Sequence, residues 1–224
     1  INLDQLLAIN NAMKYPLAYI QGPPGTGKTN TILNTIVTAF FNNMTVLFAS
    51  YNNVPINNVF EKLSSLTYKG KRVAFPVLRL GNQEKVKECI CYINQLRREV
   101  QGIKVFSSTL DRRKGDRIDR AKQLSGRLKE YEEVLDLTER KETLTQVMEY
   151  QERMKNVATL FHFHTDLQGR QLRNLDEKIQ KIGEISERDA MALLDRNEDE
   201  FYSYLYYTSA KYIKELESNR FQDL

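Results

Sequence analysis

Residues 22–29 read Gly22-Pro23-Pro24-Gly25-Thr26-Gly27-Lys28-Thr29. Every required position of the pattern G-x-x-x-x-G-K-[ST] is filled. The apolar run Leu17–Gln21 leads into this loop. Behind it, apolar residues at Ile32, Ile36, Ala39 and Phe40 predict a helix over Thr29–Phe41. A strand, a glycine loop and a helix in that order form a phosphate-binding device. Glycine permits the turns that aim backbone N–H groups at phosphate oxygens. The helix N-terminus adds partial positive charge at the same point. Lys28 can reach β- and γ-phosphates, and the Thr29 hydroxyl can coordinate Mg²⁺. Gly22, Pro23, Pro24, Gly25, Thr26, Gly27, Lys28, Thr29 and Asn30 are therefore the expected contacts for ATP and Mg²⁺, with Lys28 and Thr29 as the catalytic pair. A plain glycine-rich turn has no use for Lys-Thr at its end.

The same alternation continues on both sides. Asp4–Tyr15 carries Leu6, Leu7, Ile9 and Met13 at helical spacing. Thr45–Ala49 is a second apolar run, Ile56–Leu66 a helical pattern, and Val77–Leu80 a third run after Pro76. Strand–helix–strand–helix–strand predicts an α/β fold with a parallel sheet flanked by helices over residues 1–81.

Beyond residue 81 the pattern changes. All five prolines precede residue 77, and a long proline-free, charge-rich stretch is expected to be helical. Leu124, Leu128, Tyr131 and Leu135 form one apolar seam, and Leu172, Leu175, Ile179 and Ile182 another. Such seams predict antiparallel packing. Residues 82–200 are expected to form a long helical hairpin or coiled coil that protrudes, with a reversal within 155–171 around Phe161-His162-Phe163-His164 and Gly169. A helix over 116–157 would run about 60 Å. Residues 201–224 are expected to return toward the core, the aromatic run Phe201–Tyr212 serving as packing rather than as a base-stacking surface.

Composition sets outer bounds. The 224 residues carry 33 Lys+Arg against 29 Asp+Glu, a net charge of +4, and the mean hydropathy is −0.53. No run of 18 or more predominantly apolar residues exists, which excludes a helical membrane span. The uncharged window Thr29–Phe60 is broken by Asn30, Asn34, Asn42-Asn43 and Asn52-Asn53. Residue 1 is Ile and no charged-then-apolar leader follows, so we expect no signal peptide and a chain cut from a longer one. Cys89 and Cys91 are too close together for a disulfide and too few for a zinc site, which points to reduced thiols in the cytoplasm. His162 and His164 lack metal-type spacing.

The flanks of the loop carry a resemblance. Asn2 and Gln5 in Ile1–Ile9, the string Gln21–Thr29, and Val46–Asn57 together resemble superfamily 1 helicases, in the group of the nonsense-mediated-decay RNA helicase and its DNA-processing relatives. The resemblance implies the first RecA-like motor domain with a helical insertion, from a parent that couples ATP hydrolysis to movement along single-stranded DNA or RNA, 5′ to 3′. It implies that Gln5 recognises adenine, since an amide can both donate to and accept from the base edge. Ser50–Asn57 would be the motif that touches the strand backbone, through Ser50, Asn52, Asn53 and Asn57. The family usually has Ser or Thr, Ala and Asp where this chain has Asn52, Pro55 and Asn57.

No apolar strand ending in Asp-Glu is found for the magnesium-linked acid pair. Met191–Asp195 is the nearest stretch, and its helical, charge-rich setting disqualifies it. Without that pair and a second motor domain, these residues alone are expected to hydrolyse ATP poorly. Rival readings are a coiled-coil ATPase of the chromosome-condensation and repair type, an oligomeric AAA-type remodeller sharing the loop string, and a non-enzymatic helical docking module. The hairpin is the expected site for any protein partner, and no membrane partner is expected.

Overall fold

The structure, a computed structural model, describes residues 2–81, 83–154, 165–193 and 197–219. Helices α1 (Leu3–Lys14), α2 (Lys28–Phe41) and α3 (Asn53–Ser64) come first, then a hairpin of β1 (Thr67–Tyr68) and β2 (Lys71–Arg72). Helices α4 (Gln83–Gln101), α5 (Ser107–Met154), α6 (Thr165–Leu193) and α7 (Glu198–Asn219) follow. The described residues fall into two compact units, one drawn from 11–119 and 197–219, the other from 2–10, 120–154 and 165–193. This division differs from the expected one at residue 82, because α4 packs within the first unit.

Local chemistry ends and joins these elements. Asn43, with φ 56°, takes the left-handed position that terminates α2. Its N–H donates to Phe40 O at 3.0 Å and Met44 N–H donates to Ala39 O at 2.9 Å, which is the Schellman arrangement. The β1–β2 turn places Lys69 at φ 49° and Gly70 at φ 72°, both in the region a two-residue type I′ hairpin turn requires. Thr67 pairs with Arg72 and Tyr68 with Lys71. The bond from Val73 N–H to Leu66 O at 2.8 Å continues the pairing.

Among the described residues this hairpin is the sheet. The expected strands at Leu17–Gln21, Thr45–Ala49 and Val77–Leu80 carry no strand pairing among the described residues, so the structure does not bear out the expected parallel sheet. At the entry to the third run one reason is local: Phe75 N–H bonds to Val73 O and Val77 N–H to Phe75 O, tight turns that satisfy these N–H groups without a neighbouring strand. Another is coverage. Leu17, Tyr19 and Leu47 are 87%, 88% and 88% exposed, so little apolar burial holds these runs together.

The core of the first unit is built around Val73-Ala74-Phe75. Extended residues alternate in direction, and Val73 and Phe75 join Val37, Val59, Leu63, Leu205 and Tyr206. Ala74 joins a second cluster with Leu96, Val100, Ala210 and Ile213. Helix α7 serves both, so the aromatic run packs as expected. Phe41 meets Tyr204 at 5.1 Å and Phe201 at 6.2 Å, and Phe40 meets Phe75 at 5.1 Å and Tyr212 at 5.7 Å. These rings anchor the C-terminal end of α2, whose other end carries the glycine loop.

In the second unit α5 and α6 run antiparallel. Arg127 pairs with Asp189 at 3.2 Å, Gly183 faces Val134, and Lys141 pairs with Asp176; as numbers rise on one helix they fall on the other. Leu3, Leu128 and Ala190 form the buried centre, flanked by Leu6, Leu7, Leu124 and Tyr131. One seam residue differs from expectation. Val134 is 8% exposed and Leu135 is 40% exposed, and it is Val134 that lies against Gly183 of α6. Helix α5 has 48 residues, about 72 Å at 1.5 Å per residue. It begins at Ser107, ahead of the expected start at 116. Of the reversal expected within 155–171, residues 155–164 lie outside the described residues, whereas Gly169 falls inside α6 and not in a turn; the Asp195 end of Met191–Asp195 also lies outside them. Among the described residues no helix is long and apolar enough to cross a membrane. Cys89 is buried and Cys91 exposed, both as free thiols.

Leu205→Ala removes a side chain that is 1% exposed at the junction of α7 with this core. It should cost about 2–5 kcal/mol in denaturant unfolding. Burial raises the phenols of Tyr92 and Tyr204 above their ordinary value of 10.0, so the fold favours the neutral form. Their contribution is complete below pH 10.0 and is lost as pH rises through the raised folded values. A Tyr92→Phe/Tyr204→Phe variant should lose less stability over that alkaline range, read by circular dichroism against pH.

Candidate nucleotide-binding site

The glycine loop owes its form to two left-handed residues, Gly25 at φ 84° and Gly27 at φ 80°. Gly27 stands at the N-cap of α2, and Asn30 and Thr31 N–H donate back to its carbonyl at 2.9 and 3.1 Å. Thr26 closes the turn from its side chain, Oγ1 donating to Pro23 O at 2.8 Å. The Lys28 ammonium reaches back across the loop to Gly22 O at 2.6 Å and Pro23 O at 2.8 Å.

Gly22 makes room for that path. A Cβ there would stand 2.7 Å from Lys28 Cγ, which no side chain tolerates without moving. Thr29 sits half-buried in the first turn of α2 and Asn30 exposed beside it. The donor set consists of one ammonium, one hydroxyl and the amides at a helix N-terminus. That chemistry suits a triphosphate with its magnesium.

Gln5 is placed in the other unit, in the first turn of α1. Asn2 Oδ1 accepts from Gln5 N–H at 2.9 Å, and Gln5 Oε1 accepts from Asn2 N–H at 3.2 Å. This reciprocal pair is a capping box. The Asn-x-x-Gln spacing read for the adenine contact thus also starts the helix, a role the sequence reading missed although the spacing carries it.

The Ser50–Asn57 segment forms the approach to α3. Ser50 and Asn52 are exposed, and Asn52 is extended at the N-cap without a side-chain cap bond. Asn53 and Asn57 lie one turn apart on α3, and Arg79 joins them. Its guanidinium donates from Nη2 to Asn53 Oδ1 at 2.8 Å and from Nε to Asn57 Oδ1 at 3.1 Å. Sequence reasoning did not single out Arg79. The available signal was a lone charge inside the apolar run Val77–Leu80. The backbone of Arg79 is itself held by Cys89, whose Sγ accepts from Arg79 N–H at 3.1 Å and donates to its carbonyl at 2.8 Å.

A glycine loop with a bridging lysine at the start of a helix defines a P-loop nucleotide-binding unit. Residues 1–199 match the AAA_11 family model, an AAA domain. The chain belongs to that family, and its relatives are superfamily 1 helicases. It is 31% identical over 122 residues to the DNA replication ATP-dependent helicase/nuclease JHS1 of Arabidopsis thaliana, covering 49% of this chain and 8% of that protein. Mouse (Mus musculus) DNA-binding protein SMUBP-2 is 32% identical over 91 residues, 40% of this chain and 8% of its own length. Regulator of nonsense transcripts 1 of Dictyostelium discoideum is 36% identical over 77 residues, 33% of this chain and 6% of its own length. The chain thus spans less than a tenth of the length of these three relatives. No solved structure matches it.

Gly22→Ala should displace the Lys28 side chain while leaving the core untouched. ATP affinity is expected to fall about tenfold with little change in melting temperature, measured by titration calorimetry and thermal denaturation. Asn2→Ala removes one half of the capping box and should cost about 1 kcal/mol, read in denaturant unfolding.

Proposed function

We propose that this chain is the ATP-binding part of an ATP-dependent helicase that moves along single-stranded DNA or RNA, 5′ to 3′. The observation that carries this reading is the Lys28 ammonium folded over Gly22 and Pro23 at the N-terminus of α2. Those carbonyls hold it beside the amides of the loop, and a γ-phosphate is the stronger partner, since a charge-assisted bond outweighs one to a neutral carbonyl. Thr29 would supply the hydroxyl ligand for Mg²⁺, which when bound bridges phosphate oxygens and offsets their charge. Gly22 through Gly27, with Asn30, would line the phosphates, and the amide of Gln5 would read adenine.

In this reading the apolar runs Leu17–Gln21, Thr45–Ala49 and Val77–Leu80 belong to a parallel RecA-like sheet. Ser50, Asn52, Asn53 and Asn57 would meet the backbone of the strand, in the cytoplasm. The antiparallel pair α5–α6, with its exposed charged faces, is the place for a protein partner.

The test is made on the full-length protein. Wild type should bind ATP with Mg²⁺ and hydrolyse it faster when a single strand is present. Lys28→Ala should weaken ATP binding on the order of 100-fold and remove strand-stimulated turnover, measured by calorimetry and phosphate release. Unchanged affinity in that variant would falsify the assignment.

A further inference from the structure

The Arg79 clamp gives α3 a property that neither the glycine loop nor the family match assigns. A guanidinium only donates hydrogen bonds. The amide oxygens of both Asn53 and Asn57 must therefore face Arg79, which fixes the planes of two side chains that would otherwise rotate. The nitrogen of each amide then occupies the opposite branch. Both asparagines are exposed while Arg79 is half-buried, and among the described residues neither Nδ2 has an acceptor. One edge of α3 thus offers two oriented N–H₂ groups one helical turn apart, backed by a cation.

Rigidity comes from two further contacts. The Cys89 thiol bonds to Arg79 on both its N–H and its carbonyl, and Arg79 Nη1 donates to Leu80 O. Asn57, Phe60, Glu61, Lys85, Glu88 and Tyr92 share the depression around the guanidinium. Its acids are partly offset, since Lys85 holds Glu88 at 2.7 Å. A donors-only edge with an adjoining positive charge suits an anion carrying several acceptor oxygens, the chemistry of a phosphodiester.

We propose that Arg79 is a positioning residue which sets Asn53 and Asn57 to receive a backbone phosphate of the single strand. The inference rests on the nucleic-acid reading above and deepens it. Arg79 acts through the two amides rather than by touching the strand. Lysine cannot replace it, because an ammonium is a point donor without the planar fork that spans two acceptors.

The experiment measures binding of a labelled single-stranded oligonucleotide to the full-length protein, with circular dichroism confirming that each variant is folded. Arg79→Ala and Arg79→Lys should each weaken binding about tenfold, equally on every base sequence. In an Asn53→Ala/Asn57→Ala background, Arg79→Ala should add less than about twofold, because its effect is already lost. Recovery of affinity by Arg79→Lys, or an undiminished loss in the double-alanine background, would overturn the positioning role and leave Arg79 a simple cation. If Arg79→Ala fails to fold, Arg79→Lys alone and the two single asparagine variants decide the same question. Wild type that binds ATP but no oligonucleotide would instead overturn the strand-binding reading beneath it.

Discussion

The rest of the first unit depends on the aromatic grip of α7 on the far end of α2. Phe40 and Phe41 are enclosed by Phe75, Phe201, Tyr204 and Tyr212. Each such ring buries a large apolar area and prefers a tilted or edge-on partner. The loop at the start of α2 has few contacts of its own, and its glycines add conformational freedom. Its position is therefore inherited from the other end of the helix, about 21 Å away along 14 residues. A segment nearly 180 residues later in the chain thus sets where Lys28 begins its path.

Much of this was legible in the sequence because it rests on short-range rules. The spacing from Gly22 to Thr29 specifies the loop, and the 3.6-residue periodicity specifies α1, α2 and α3. The seams on α5 and α6 specify their antiparallel pairing. The role of Phe201–Tyr212 as packing was readable from its helical spacing.

What escaped depends on distant partners or on single backbone angles. A strand is defined by its neighbour, so the runs at residues 17–21, 45–49 and 77–80 looked like strands by composition, yet pairing is a property of another segment. The β1–β2 hairpin is only two residues on each side, too short for an alternation, and its signal was the single Gly70. Arg79 was hidden because its partners Asn53 and Asn57 lie more than twenty positions earlier. Val134 took the place expected of Leu135 because it meets Gly183 on the partner helix, which the α5 spacing alone does not reveal. At the site itself, the residue types were readable and the second role of Gln5 was not, since one spacing served two purposes.

The uncovered runs have a consequence for handling. Leu17, Tyr19, Leu47 and Leu80 leave oily side chains facing water beside main-chain groups that no ladder occupies. Unpaired apolar runs of this kind are templates on which another polypeptide can add itself by edge-to-edge growth. Solubility would then be governed by how quickly those runs are shielded from one another's copies. The short, polar-capped β1–β2 turn, by contrast, offers too little length to nucleate the same process.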